Sequence, residues 1–326
     1  MSSISAQIEP YKINDIADAE LKADEYEVGD EIQSDIDDDI YFKHNSVNLV
    51  IGKRGSGKTY MVMRECLKLA HLMDWWDRVG RDDPKYTQIY YITDKLRDDT
   101  CERAKYYIEK TTSMQFFWES TENALEVINS ITTLKALLSD PSAPQFKDRV
   151  EEDPTLIEEA RKALSINPDD TSNILPHTLI IFDDCIGLFN KYSPLSKKLF
   201  ENRQSRITYF LILQDVQGLN PSMKANVDSL VFFGGFPRHK WNSLMYQMPV
   251  IHDGYSFDNY YSKLRSHDFV LFDYIDNLIY EKPRNGDAVM LFTGTTQVAV
   301  NPSSKEKKEK KNKKSQTRKK TFLFQL

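Results

Sequence analysis

Residues 52–59 read Gly-Lys-Arg-Gly-Ser-Gly-Lys-Thr, and few stretches of eight residues restrict a fold so strongly. They match G-x-x-x-x-G-K-[ST], a loop whose glycines let successive backbone N–H groups turn toward the oxygens of a phosphate. The surroundings agree. The apolar run Val47-Asn48-Leu49-Val50-Ile51 stands directly before the loop, and Tyr60-Met61-Val62-Met63-Arg64-Glu65-Cys66-Leu67 behind it suits a helix. The N-terminal end of that helix adds partial positive charge where an anion would sit. In such a loop Lys58 pairs with the outer phosphates of a nucleoside triphosphate, and the Thr59 hydroxyl reaches a magnesium ion. Gly52, Lys53, Arg54, Gly55, Ser56, Gly57, Lys58 and Thr59 are therefore the candidate nucleotide-binding set.

A loop of this kind works with a carboxylate at the end of a nearby strand. Thr178-Leu179-Ile180-Ile181-Phe182-Asp183-Asp184 supplies an apolar strand followed by two acids. Asp183 is the expected magnesium ligand, with Thr59. Asp184 is expected to face the attacking water, as general base or as the group that orients it. Lys58 and Asp183 are 125 residues apart, and the strand candidate Gln88–Ile92 falls between them. That spacing suits proteins that insert a strand between the two motif strands and place an acid beside the magnesium aspartate, mostly motors, helicases and other mechanical ATPases. No Asn-Lys-x-Asp run for guanine is present, so ATP with Mg2+ is the expected pair. A further strand, Ile207–Gln214, ends in the Gln214 amide, which can reach the γ-phosphate or the attacking water as a sensor of hydrolysis, or be satisfied by a loop backbone.

Strand-like runs at Val47–Ile51, Gln88–Ile92, Gln115–Trp118, Thr178–Asp183, Ile207–Gln214, Ser229–Phe233 and Asp268–Phe272 alternate with helix-compatible segments. The latter are Thr59–Met73, Thr121–Leu138, Pro154–Ala163 and Leu195–Asn202. Apolar strands set between amphipathic helices imply an α/β fold, a mostly parallel central sheet flanked by helices. With the loop, this is the P-loop NTPase fold of RecA-like (ASCE) type. Residues 139–176, richer in Pro, Asp and Ser, read as an insertion on the rim. The ends differ sharply in charge. From Glu9 to Asp39, 13 acids face only Lys12 and Lys22, while from Lys305 to Lys320 ten bases face only Glu306 and Glu309. Few apolar residues and high charge predict disorder at both ends. The expected layout is an acidic leader over 1–42, an ATPase domain over 43–300 and a basic tail over 301–326.

The three cysteines (Cys66, Cys101, Cys185) and six histidines are scattered, which argues against a disulfide framework or a zinc site. No apolar run approaches the 18 residues of a membrane span, and the start lacks the pattern of a secretory signal.

The loop Gly52–Thr59, the run Leu179–Asp184 and Arg203 through Gln214 occur in order, followed by Asn220-Pro221-Ser222-Met223-Lys224-Ala225-Asn226-Val227-Asp228. Together they resemble the genome-packaging ATPases of large eukaryotic DNA viruses and their virophage and transposon relatives, within the FtsK–HerA superfamily of DNA-pumping motors. The resemblance covers roughly 47–235. It implies an ATP-driven translocase of double-stranded DNA that packages a viral genome into a preformed capsid. It also implies a homo-oligomeric ring of five or six subunits, Arg203 acting in the neighbour's site, and a capsid or portal component as partner. The expected location is a virus factory in host cytoplasm or nucleus, or the virion. Two positions depart from the wider pattern: Asp184 stands where Glu is usual, and Lys224 where Arg is usual. A helicase and a nucleotide-binding assembly scaffold with little turnover are the other readings. Candidate DNA contacts are Arg238-His239-Lys240, Lys263-Leu264-Arg265 and the basic tail, for which nuclear import, capsid anchoring or plain solvation are rivals.

Overall fold

The structure, a computed structural model, describes residues 42–293 apart from 80–84, 96–98, 171–173, 191–192, 218, 236, 248–263, 266, 276–277 and 283–288. The acidic leader apart from Phe42, which is buried in the core, and the basic tail lie outside the described residues.

The first strand, β1, is Val47–Ile51, a run in which every residue is buried. Three more strands have equally apolar middles: β4 (His177–Asp183), β5 (Ile207–Leu213) and β6 (Ser229–Phe233). Their side chains alternate between two cores. Ile180 and Phe182 join one with Leu49, Ile51 and Leu211, while Leu179 and Ile181 join the other with Val50, Phe210 and Ile212. A strand that is apolar on both faces needs cover on both faces, as in parallel α/β sheets. Helix α1 (Lys58–Val79) and helix α2 (Asp99–Thr111) cover one face, through Val62, Cys66 and Leu69 and through Cys101, Ala104 and Ile108. Helix α3 (Ala124–Ser139) covers the other through Ile128 and Ile131.

Among the described residues the sheet has nine strands in the order β3-β2-β4-β5-β1-β6-β7-β8-β9. Here β2 is Tyr86–Ile92, β3 Gln115–Glu119, β7 Phe269–Asp273, β8 Leu278–Lys282 and β9 Val289–Thr293. From β3 to β6 every pairing is parallel, and β7 and β8 add on antiparallel. A strand does sit between the loop strand β1 and the acid-bearing strand β4, but it is β5. The candidate Gln88–Ile92, which precedes Asp183 in sequence, pairs instead with the far side of β4, in register from Gln88 opposite Thr178 to Ile92 opposite Phe182. Crossover connections let a parallel strand join either side of its neighbour, so order along the chain does not decide order in the sheet.

Helix α1 runs past the expected Met73 to Val79, because no helix breaker precedes Gly80. Helix α2 was not among the sequence candidates, although Cys101, Ala104 and Ile108 carry the i, i+3, i+7 spacing of a buried face. Residues 139–176 hold two short helices, α4 (Lys147–Glu152) and α5 (Thr155–Ala163), around a small core of Leu137, Phe146 and Ala160. The end of α5 is tied to β2: Thr87 Oγ1 donates to Leu164 O at 2.6 Å and Gln88 Nε2 to Ala163 O at 2.7 Å. The run Leu195–Asn202 is α6 (Pro194–Lys198) with a 3-10 turn over Leu199–Glu201, and Ser193 caps it by accepting from Leu195 N.

Candidate nucleotide site

The loop leaves β1 at the C-terminal edge of the parallel strands and ends as α1 begins. Two of its glycines lie in the left-handed region, Gly55 at φ 75° and Gly57 at φ 95°, where an L side chain is disfavoured. Gly52 is required for space. A Cβ there would stand 2.3 Å from Ser56 Oγ and 2.9 Å from Phe233 Cβ. Ser56 is fully buried, and its Oγ has no hydrogen-bond partner among the described residues. Lys53, Arg54 and Gly55 form the exposed crest. The crest curls around the Lys58 ammonium, which donates to Gly52 O at 2.8 Å and Lys53 O at 2.9 Å. Burial lowers the pKa of Lys58 to about 8, against the opposing pull of Asp183 and Asp184. A group so desolvated gains by meeting an anion.

Asp183 ends β4 and is buried, with 4% of its surface exposed. Its Oδ2 accepts from Thr59 Oγ1 at 3.1 Å and from Tyr91 OH at 2.5 Å, while its Oδ1 meets Lys95 Nζ at 2.9 Å. Burial pushes the Tyr91 phenol far above its ordinary pKa, with Cys101 and Asp183 adding to the shift, so it stays a donor to the carboxylate. The next residue, Asp184, has φ 61°, uncommon for a non-glycine residue. Its amide still donates to Ile212 O on β5 at 2.9 Å, and Gln214 Nε2 donates to both carboxylate oxygens at 3.2 and 3.0 Å. Thus β4 and β5, as neighbours, place the second acid and the strand-end amide together.

Around these groups lies a cavity of about 370 Å³, lined among others by Gly57, Lys58, Thr59, Lys95, Asp183 and Gln214. His267, just before β7, closes one wall with its Nδ1 3.1 Å from Ser56 O. The hydroxyl of Thr59 and the carboxylate of Asp183 stand side by side as hard oxygen donors. That set fits a magnesium ion completed by phosphate and water oxygens. Among the described residues no cluster of three His, Cys, Asp or Glu offers another metal site.

Arg203 lies elsewhere. It precedes β5 at the opposite edge of the sheet, with Nη2 3.1 Å from Asp228 Oδ1, and Asp228 Oδ2 accepts from Val47 N where β1 begins. A seven-residue strand separates the two edges by roughly 20 Å, so Arg203 cannot reach its own chain's cavity. Arg206 is likewise at that edge, bonded to Leu175 O at 2.7 Å. Lys224 is buried at the end of α7 (Pro221–Ala225), and burial lowers its pKa. Arg238 and Lys240 open α8 (Arg238–Gln247), where Lys240 Nζ stands 3.3 Å from Asp215, the residue after Gln214. Trp241 of that helix is core, its ring 4.6 Å from that of Phe232. Lys263 and the basic tail lie outside the described residues.

Lys95, Tyr91 and Thr93 were not singled out by sequence. Their signal was available: Thr93-Asp94-Lys95 is a polar run closing an apolar strand, but only the pairing of β2 with β4 brings it to Asp183.

The fold, the loop and the two acids define a P-loop NTPase of the type with a strand between its motif strands. No family model and no curated protein matches the chain. Among solved structures it is similar to the DNA-packaging ATPase B204 of Sulfolobus turreted icosahedral virus, at 14% identity and TM-score 0.46, over 74% of this chain and 98% of that one. It is also similar to the genome packaging NTPase B204 of Sulfolobus turreted icosahedral virus 2 with AMPPCP bound, at 12% identity and TM-score 0.41, over 73% and 97%. The cytoplasmic domain of the type VII secretion ATPase EccC of Thermomonospora curvata follows at 13% and 0.37, over 76% and 25%. Among the described residues no helix is long and apolar enough to cross a membrane.

Proposed function

We propose that the chain is an ATP-driven translocase of double-stranded DNA that packages a viral genome, working as a ring of identical subunits. The observation that carries the reading is the meeting of Lys58, Thr59, Asp183, Asp184 and Gln214 in one cavity at the end of adjoining strands. The loop amides and Lys58 bind and orient the phosphates, replacing the two carbonyls that hold Lys58. Thr59 and Asp183, with Tyr91 fixing the carboxylate, would hold Mg2+, which when bound would neutralise charge on the phosphates. Asp184 is placed to orient the attacking water and accept its proton. The Gln214 amide, already on Asp184, can pass the state of that carboxylate to β5 and the segment behind it.

Among the described residues the cations that line the cavity outside the loop are Arg64 and Lys95, and Lys95 is already engaged by Asp183 and Asp184, so charge developing on the transferred phosphoryl group calls for a further one. Arg203, exposed at the far edge of the sheet, suits a neighbouring subunit's cavity and not its own. The resemblance and the placement of Arg203 support the reading of packaging by a ring. A capsid or portal contact and location in a virus factory or virion belong to the same reading.

Steady-state ATP hydrolysis with and without duplex DNA tests it. Stimulation by duplex is the expected result. Preference for single strands with unwinding would make the protein a helicase, and binding without turnover would make it an assembly scaffold.

A further inference from the structure

Lys95 is the one lysine that reaches both acids of the site among the described residues. It stands on the turn after β2, anchored at two points: its amide donates to Thr93 Oγ1 at 3.2 Å, and Thr93 Oγ1 donates to Asp183 O at 3.1 Å. From there its ammonium lies 2.9 Å from Asp183 Oδ1 and 3.4 Å from Asp184 Oδ2. Tyr91 and Thr59 already occupy Asp183 Oδ2, so Lys95 takes the remaining oxygen of the buried carboxylate. Its own side chain is 49% exposed, which leaves it room to swing toward water.

An ammonium in contact with a carboxylate opposes the arrival of a divalent cation at the same group, since at a few ångströms like charges repel strongly in a partly buried setting. We propose that Lys95 is a positioning residue that competes with the divalent cation for Asp183 and so sets the magnesium concentration at which the site loads. In the free chain Lys95 compensates the charge of Asp183 and Asp184 and keeps both carboxylates aimed into the cavity. On loading it gives up the Asp183 contact and retains Asp184, the acid that Gln214 also holds. The inference rests on the nucleotide-site reading above.

The test is a titration of Mg2+ into the full chain with a fluorescent ADP analogue, whose lack of a γ-phosphate removes that group as an alternative partner for Lys95. Lys95→Met keeps the stem and drops the charge, and should lower the Mg2+ midpoint by roughly two- to fivefold, the scale of one partly exposed ion pair. Lys95→Arg keeps the charge and should stay near the wild-type midpoint. A midpoint that is unchanged or raised in Lys95→Met, in a chain that melts like wild type, overturns this inference alone. A wild-type chain that binds no nucleotide at any Mg2+ concentration overturns the site reading together with it.

Discussion

The two edges of the parallel sheet each bury a lysine whose ammonium bonds two backbone carbonyls, and the candidate nucleotide site lies at one of them. At the C-terminal edge Lys58 holds Gly52 O and Lys53 O. At the N-terminal edge Lys135, on α3, holds Ser205 O at 3.0 Å and Arg206 O at 3.1 Å, pinning that helix to the turn that enters β5. Burial lowers the pKa of Lys135 further than that of Lys58, to about 7 with Arg206 assisting, against about 8. His177, at the same edge, is pushed down by burial and by His44 to about 3. Strong shifts therefore occur at both edges, at Lys135 and His177 here and at Lys58 and Tyr91 beside the cavity. A shifted lysine marks desolvation. What makes the other edge chemical is the pair of acids beside Lys58 and the open volume in front of it.

The comparison breaks most sharply with Lys58→Ala. Turnover should fall to background, a loss on the order of 10³ as for removal of a principal donor to a developing charge, while thermal unfolding stays close to wild type. Retained turnover would remove the C-terminal edge as the site. Next comes Arg203→Ala, which tests whether the N-terminal edge contributes to a neighbour. If it acts in trans, turnover should fall by about 10³, with ATP binding and assembly intact. Its ion pair with Asp228 is exposed and worth about 0–1 kcal/mol, so a large melting shift with modest turnover loss would reduce it to a structural role. Mixing Arg203→Ala chains with Lys58→Ala chains should restore activity, because some interfaces then join an intact loop to an intact arginine.

Asp184→Asn should keep ATP binding and lose hydrolysis by about 10²-fold. Asparagine tolerates the left-handed backbone that Asp184 adopts, so the fold should survive. Asp183→Asn should instead weaken magnesium-dependent binding, and identical behaviour of the two variants would erase the separation of their roles. The smallest effect belongs to Lys135→Met. Because its folded pKa is depressed, the unfolded chain binds the proton more tightly between about pH 7 and the ordinary lysine value. Wild type should thus gain stability as pH rises through that window, by up to ~1 kcal/mol per pH unit, and the variant should lack that gain. Urea unfolding at pH 7 and pH 9 reads the difference, and turnover in Lys135→Met should stay within about twofold of wild type.

Much of the site was legible in the chain because it is local or ends a strand. Gly52 to Thr59 sit within eight consecutive residues, and their glycine positions follow from backbone geometry alone. The apolar runs Val47–Ile51, Leu179–Phe182 and Ile207–Leu213 announced buried strands, and the acids and amide directly after two of them had to emerge at strand ends. Parallel pairing then puts such ends on one edge of the sheet. The loop, the strands and the polar groups that close them are thus set by local sequence.

Tertiary structure decided the neighbours. Nothing between residues 88 and 214 states that β5 enters beside β4 while β2 takes its other side. That order is set by which faces the connecting helices bury. Only this order brings Tyr91 and Lys95 to Asp183, separated from it by 92 and 88 residues, and Gln214 to Asp184, 30 residues away. It also sends Arg203 to the edge its own loop cannot reach. Contacts within a turn are dictated by local backbone geometry, whereas contacts across a sheet exist only after the whole core has closed.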